Sequence, residues 1–273
     1  MTGARRKPPR SGGMPPAARR APARRTDDLG GDQVEGRQAV LELLTAGRRR
    51  TRKVIVADAQ DPSELLDAIE REAHGHRVPV SFVSKARMDR EARTEGHQGV
   101  YALCDPMPTT DLDGLLDAGG RGLPFLLVCD GVTDPRNLGA LLRSAECAGV
   151  TGVVLPRHRS ARLTPAVTKT AAGAIEHLRF AAVGGIPAAL QQLDKAGVVS
   201  VGLAPESKHS IYDVDLRTAP VALVIGGEER GLASLTRRRC TQVVSIPQHG
   251  AIESLNAGVA GAVACFEVAR QRR

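Results

Sequence analysis

The sequence predicts an α/β fold built on a mostly parallel sheet, preceded by a smaller α/β unit and a basic tail. Three observations predict it. From residue 123 onward, short apolar runs alternate with segments of helical periodicity, the pattern of strands joined by crossover helices. The runs themselves, such as PFLLVC (124–129) and PVALVI (220–225), are continuously apolar, which suits strands buried on both faces. Before residue 105 the alternation recurs on a smaller scale, and before residue 34 it is absent.

The first 25 residues hold eight basic side chains (Arg5, Arg6, Lys7, Arg10, Arg19, Arg20, Arg24, Arg25) and no acid. Setting these eight aside from the chain's 38 leaves 30 basic residues against 30 acidic ones, so the net charge of +8 resides in the tail. Rich in proline and glycine, residues 1–33 have little apolar surface to bury and read as disordered. The tail is a candidate tether for a polyanion such as RNA, acting through phosphate contacts and counterion release. A solubilising segment without a partner fits the same composition. An amphipathic transit peptide does not, because regularly spaced apolar residues are missing.

Residues 34–47 (VEGRQAVLELLTAG) show helical periodicity that stops at Gly47. A basic cluster follows at 48–53, then a strand at 54–57, a helix near 62–74, a strand at 79–83, a helix near 85–93 and a strand at 99–104. These make a small α/β domain over 34–105. Residues 106–122 carry proline and glycine and read as a linker with one short helix, with Gly119-Gly120-Arg121-Gly122 inside it. The large domain covers 123–273. Its strands are expected at 124–129, 151–155, 178–182, 197–202, 220–226 and 242–246, and its helices at 138–148, 164–174, 186–195, 230–237 and 253–270.

Composition excludes several classes. Aromatic residues make up 2% of the chain and tryptophan is absent, which argues against a mechanism built on aromatic base-stacking. No apolar run approaches the ~18–20 residues a membrane span requires, and the start lacks the apolar core of a signal peptide. Five scattered cysteines, none in a C-x-x-C pair, read as buried free thiols in a reducing cytoplasm. The histidines offer no ligand spacing beyond His74-x-His76 in a polar loop, so no metal is expected. Dinucleotide, P-loop, zincin and nucleophile-elbow signatures are all missing.

Three strand-to-loop junctions remain, at the strand ends where parallel sheets usually bind ligands. The first is DGVTDPRNLGALLRSAECAG (130–149). Asn137 can cap the helix, Asp134-Pro135 makes the turn, and Gly139 permits a close approach. Leu138, Leu141, Leu142 and Ala145 form the core stripe; Arg143 lies off it, as a solvated arginine also would. The second is PVALVIGGEERGLASL (220–235), where Gly226-Gly227 allow close backbone approach. Glu228 and Glu229 there could simply stabilise a helix N-terminus. The third is the 243–273 segment, in which Glu253-Ser254-Leu255-Asn256 opens a helix rich in alanine and glycine. Its small residues permit very close packing.

In order and spacing, D-x-x-x-D-P-x-N-x-G-x-x-x-R-x-A (130–145), L-V-I-G-G-E-E-R-G-L (223–232) and I-P-x-x-G-x-x-E-S-L-N (246–256) resemble the three motifs of SpoU-type RNA 2′-O-ribose methyltransferases of the SPOUT superfamily. GRQAVLELL (36–44), the basic stretch before 54–57 and HQGVYA (97–102) are similar to the substrate-binding domain of the branch that methylates a guanosine of bacterial 23S rRNA. The resemblance spans 34–273. It implies a trefoil-knotted catalytic domain, an exception to the rule against threaded chains, with S-adenosylmethionine (SAM) as methyl donor, no metal and a homodimer. It further implies a cytoplasmic enzyme acting on 23S rRNA or an assembling large ribosomal subunit, with no membrane partner. Residue by residue, it places Asn137, Arg143, Glu229, Ser254 and Asn256 in the active site. Gly226, Gly227, Ile246, Gln248 and Leu255 would hold the cofactor, with Leu203 and Ala204 lining its adenosine pocket. Arg48, Arg49, Arg50, Arg52 and Lys53 would contact RNA. Two positions depart from the pattern: Gln248 stands where a methionine often follows the proline, and Gly258 where a serine is common.

The chemistry implied is alignment of a weakly nucleophilic ribose hydroxyl with a sulfonium methyl, plus stabilisation of the developing alkoxide. A guanidinium stays protonated, so Arg143 suits the second task, with a phosphate or Glu229 sharing the proton. The same chemistry on tRNA, and a non-catalytic ribosomal-RNA-binding factor, are the alternatives; a small-molecule methyltransferase sits poorly with the tail and the 48–53 cluster.

Overall fold

The computed structural model describes residues 29–58, 60–117, 122–158, 161–251 and 254–273. The tail expected over 1–33 thus lies outside the described residues up to position 28, as do Gly119, Gly120 and Arg121 of the glycine-rich linker. Residues 29–33 are ordered parts of the fold, and Leu29 is buried.

The smaller domain is a four-stranded sheet in the order β1-β4-β2-β3, made of β1 (Gln33–Glu35), β2 (Thr51–Ala57), β3 (Val80–Val83) and β4 (Val100–Cys104). Strands β2 and β3 are parallel, while β4 is antiparallel to β1 and β2. Helices α1 (Arg37–Ala46) and α2 (Glu64–Gly75) cover one face through Val40, Leu43, Leu44, Leu66 and Ile69; α3 (Lys85–Glu91) inserts Met88 into the other. The single helix expected over 34–47 is therefore a strand followed by a helix. Val34 pairs with Ala102, and Gly36 breaks the chain at φ 95, a conformation that costs only glycine little. The buried Glu35 carboxylate accepts from Arg93 N (2.7 Å), Thr94 N (3.0 Å) and Thr94 Oγ1 (2.6 Å).

The segment read as a linker contributes an edge strand, β5 (Thr109–Thr110), and α4 (Leu112–Leu116) to the larger domain. That domain continues with β6 (Phe125–Asp130), β7 (Gly152–Pro156), β8 (Phe180–Val183), β9 (Val199–Leu203), β10 (Val221–Gly226) and β11 (Gln242–Val244). The seven strands run in the order β11-β9-β10-β6-β7-β8-β5, and every pairing is parallel. The interleaved helices are α5 (Pro135–Cys147), α6 (Pro165–Thr170), α7 (Ile186–Lys195), α8 (Ser234–Arg239) and α9 (Ala257–Gln271). Along β6, Phe125, Leu127 and Cys129 face the side covered by α5, α6 and α9, whereas Leu126 and Val128 face α4 and α7. Burial on both faces is what the uninterrupted apolar run predicted.

The stripe of α5 (Leu138, Leu141, Leu142, Ala145) is fully buried, each leucine contributing about 1.5–3 kcal/mol. Gly139 lets α6 approach, since a Cβ there would stand 2.6 Å from Thr170 Cβ. Gly258 and Gly261 bring α9 onto α5 in the same way, against Asn137 O and Leu141. Close packing by the small residues of α9 is thus spent at least partly inside the chain. The far end of α9 is held by Arg272, which donates to Leu216 O (3.1 Å), Leu123 O (3.0 Å) and Ala219 O (2.7 Å) and lies 5.4 Å from the Phe125 ring centroid.

Candidate active site

Parallel register brings four strand ends to one edge. Gly226 stands beside Asp130, Val224 beside Gly202, and Val244 beside Leu203, so the loops after β6, β9, β10 and β11 converge where α/β sheets bind ligands.

The first junction is capped by Asp134, not by Asn137. Asp134 Oδ1 accepts from Arg136 N (2.6 Å) and Asn137 N (3.4 Å), and Pro135 takes the first helical position. The Asn137 amide is thereby released from backbone duty. Its Nδ2 donates to Glu228 Oε1 (2.8 Å), and its Oδ1 accepts from Asn256 Nδ2 (2.9 Å). One side chain therefore ties all three junctions together.

At the second junction, α8 begins only at Ser234, so the helix expected from 230 and the capping role of Glu228 and Glu229 are both corrected. Residues 227–231 form a tight turn closed by Gly231 N donating to Gly227 O (2.9 Å). A Cβ on Gly226 would overlap Gly231 C and Leu232 N, and one on Gly227 would overlap Gly131 O. No side chain fits at either position. Asp130 anchors the turn: its main-chain oxygen accepts from Gly227 N (3.0 Å) and its Oδ2 from Ala233 N (2.8 Å). At the third junction the helix expected from Glu253 starts at Ala257. Asn256 caps it, accepting from Gly258 N (2.9 Å) and Val259 N (3.3 Å) through Oδ1. Ile252 and Glu253 lie outside the described residues.

Of the five expected active-site residues, Asn137 and Asn256 are joined directly. Ser254 and Glu229 are exposed in the flanking loops. Arg143 is exposed on α5, off the buried stripe and seven positions beyond Arg136. Reasoning from sequence placed Glu229 in the site but missed Glu228, which accepts from Asn137, and Asp130. The Asp130 signal was present in its place at the head of the first motif; nothing local distinguishes Glu228 from Glu229.

Of the expected cofactor set, Gly226 and Gly227 lie at the end of β10, and Leu203 and Ala204 at the end of β9. Ala204 N donates to Val244 O (2.9 Å), which seats the β9 loop against β11. Leu203 and Ile246 are half-buried against the core, while Gln248 and Leu255 (40% exposed) stand open to solvent. The buried thiols take no part: burial pushes Cys265 up to about 12 and raises Cys129 as well, so neither supplies a thiolate at neutral pH.

The basic cluster at 48–53 is corrected in part. Arg49 is buried, with Nε and Nη2 on Glu176 Oε2 (2.9 Å) and Oε1 (2.5 Å). Arg48 Nη1 donates to Glu176 O and Leu178 O (both 2.8 Å). Both arginines reach the larger domain, but only Arg49 is withdrawn from solvent; Arg48 remains exposed. Arg52 donates to Cys104 O (2.5 Å) yet stays exposed; with Arg48 and Arg50 exposed and Lys53 half-buried, every member but Arg49 is accessible. Two clefts, of about 340 Å³ beside Arg93, Arg162 and Thr164 and about 570 Å³ beside Thr109, Arg157 and Gln192, lie away from the three junctions. Among the described residues no cluster of three or more His, Cys, Asp or Glu could hold a metal. No helix there is long and apolar enough to cross a membrane.

Comparison with known proteins bears on both domains. Residues 124–266 match the SpoU rRNA methylase family, and residues 33–110 match the RNA 2′-O ribose methyltransferase substrate-binding family. The chain is 42% identical over 242 residues, 88% of its length and 96% of the relative's, to the 23S rRNA (guanosine-2′-O-)-methyltransferase RlmB of Xylella fastidiosa. It is 39% identical, again over 88% of its length, to the RlmB of Pectobacterium atrosepticum, of which it covers 98%. Among solved structures, the SpoU methyltransferase AviRb of Streptomyces viridochromogenes in complex with AdoMet superposes with a TM-score of 0.73 at 23% identity, covering 88% of this chain and 89% of that one. An RNA 2′-O ribose methyltransferase superposes at 0.69 with 26% identity, covering 88% of each.

Proposed function

The chain belongs to the SpoU rRNA methylase family, and on that premise we propose that it transfers a methyl group from SAM to the ribose 2′-hydroxyl of a guanosine in 23S rRNA. The observation that carries the reading is the Asn137 bridge to Glu228 and Asn256, which holds the three family motifs in one constellation. The relatives named for 23S rRNA match along both domains, so the RNA-selecting part is shared as well as the catalytic part.

SAM, when bound, supplies an electrophilic methyl on a sulfonium. The strand-end loops at 203–204, 226–227 and 246–248 would hold it, with Leu203 and Ile246 against the adenine. Asn137 and Asn256 hold the loops that flank the ribose, fixing the angle at which its hydroxyl meets the methyl; such alignment removes an entropic barrier. Arg143, a permanent cation, stabilises the alkoxide as it forms, and Glu229 or an RNA phosphate takes the proton. Ser254 orients the ribose by hydrogen bonding. Arg48, Arg50, Arg52 and Lys53, the accessible members of the basic cluster, meet the RNA backbone.

The enzyme works as a homodimer. Leu255, just before α9, and Val259 (50% exposed) and Phe266 (48% exposed) on it present apolar side chains that a second copy would cover, bringing the exposed Arg143 toward a neighbouring site. The segment at 245–251 enters the family's trefoil knot, a reading supported by Ser245 N donating to His209 O (2.8 Å). The substrate, free or in an assembling large subunit, places the enzyme in the cytoplasm.

Methyl transfer from labelled SAM to purified 23S rRNA and to bulk tRNA, with products digested and read by mass spectrometry, tests the reading. We expect 2′-O-methylguanosine in 23S rRNA, lost in Arg143→Ala. Signal in tRNA alone would overturn the substrate, and absence of transfer together with absence of SAM binding would overturn the chemistry.

A further inference from the structure

The buried Arg49–Glu176 contact joins the two domains, and its surroundings make it more than a packing detail. Each side chain is almost wholly excluded from solvent, at 2% and 1% exposure. Arg49 uses every face of its guanidinium. Nε and Nη2 take both carboxylate oxygens of Glu176, a bidentate geometry that only arginine offers. Nη1 donates to Asp105 O (2.9 Å) and to Gly31 O. Gly31 lies where the chain enters the small domain, Asp105 where it leaves, and Glu176 in the large domain. Three segments that a flexible linkage would let drift apart thus meet on one residue.

The flanking segments are stitched down on both sides of this point. Leu29 and Met107 are buried in the core of the large domain. Leu163 N donates to Leu29 O (2.9 Å), and Met107 N to Gly30 O (2.9 Å). Arg48 holds Glu176 O and Leu178 O, and Glu42 meets His177 at 2.9 Å. Burial works against the Arg49 charge, but the hydrogen bond and charge of Glu176 outweigh it and raise its pKa, so the guanidinium is charged throughout.

We propose that Arg49 is a positioning residue that clamps the small domain in one fixed orientation, so that RNA held there is presented at a set distance from the methyl-transfer site. The clamp rests on the proposed rRNA methyltransferase reading. Its benefit is confined to substrates long enough to touch both domains, since a second contact raises affinity only when geometry allows simultaneous engagement.

The test uses the full chain with Arg49→Met and the pair Arg49→Met/Glu176→Leu. The single variant leaves Glu176 buried without its partner and is open to misfolding; the pair removes both charges and so keeps the seam apolar. Small-angle scattering is recorded for each, and kcat and KM are measured on full-length 23S rRNA and on a short oligonucleotide carrying the guanosine that the wild-type enzyme marks. The expected result is a larger radius of gyration and a KM for 23S rRNA raised about tenfold or more, with kcat and all constants on the oligonucleotide unchanged. An unchanged radius, or equal losses on the two RNAs, would overturn the clamp. Wild-type enzyme inactive on both RNAs and unable to bind SAM would instead overturn the methyltransferase reading, and the scattering comparison would then decide the clamp alone.

Discussion

Asn137 offers the sharpest test of how the site is held. Asn137→Ala removes the bonds to Glu228 Oε1 (2.8 Å) and Asn256 Nδ2 (2.9 Å). Each is worth ~0.5–1.5 kcal/mol net, and at partly exposed side chains the lower figure applies. The expected stability loss is therefore about 1 kcal/mol, a fall of ~2–4 °C in Tm for a chain of this size. Turnover should suffer far more, about 100-fold, because loops displaced by an ångström misalign the reacting atoms. Asn137→Asp sets a second carboxylate against Glu228. At ~3 Å in near-aqueous surroundings the repulsion is about 1.4 kcal/mol, roughly another tenfold. The pair Asn137→Asp/Glu228→Gln rebuilds the bond with donor and acceptor exchanged, while the acceptor for Asn256 is kept. Single-turnover rates on 23S rRNA for the four proteins, with Tm from calorimetry, complete the comparison. If the pair is no faster than Asn137→Asp alone, the bridge to Glu228 does not hold the site.

Four further outcomes are expected. Arg143→Ala should lower kcat by about 10²–10³-fold with SAM affinity by calorimetry unchanged; near-full activity of Arg143→Lys with a lower pH optimum would refute the alkoxide role. Gly226→Ala drives a Cβ into Gly231 C and Leu232 N, and should abolish SAM binding while leaving far-ultraviolet circular dichroism close to wild type. Tyr101 is lifted to about 12 by burial and by its bond to Glu91 (2.6 Å). A phenol whose folded pKa is raised adds stability below the ordinary value of ~10 and loses it as pH climbs from there to 12. The stability difference between wild type and Tyr101→Phe, by urea titration, should therefore vanish across that window. Of the cysteines, Cys147 is exposed, whereas Cys104 and Cys265 are buried with thiols pushed up to about 12; native-state alkylation read by mass spectrometry should mark Cys147 first, and equal labelling of all three would contradict the packing.

Much of the fold was legible because its signals are local. Uninterrupted apolar runs foretold strands buried on two faces, and the expected helix at 186–195 matches α7 to the residue. Errors gathered where a distant partner overrides a nearby pattern. Val34 obeys helical spacing but pairs with Ala102 in a strand. Asn137 sits within capping range, yet Asp134 takes the cap and frees the amide for other work.

By itself, the sequence determined the α/β class, the alternation of strands and helices in the larger domain and three motifs whose spacing marks the family. These depend on side-chain period, turn chemistry and capping, all set within a few residues. Only the tertiary structure decided that Glu228 and not Glu229 meets Asn137, across 91 positions, and that Asn256 joins them across 119. It also turned Arg49 from an expected RNA contact into a buried partner of Glu176, 127 positions away. A charge is driven outward by solvation unless a partner compensates its burial. That partner is found by folding, and no local pattern names it.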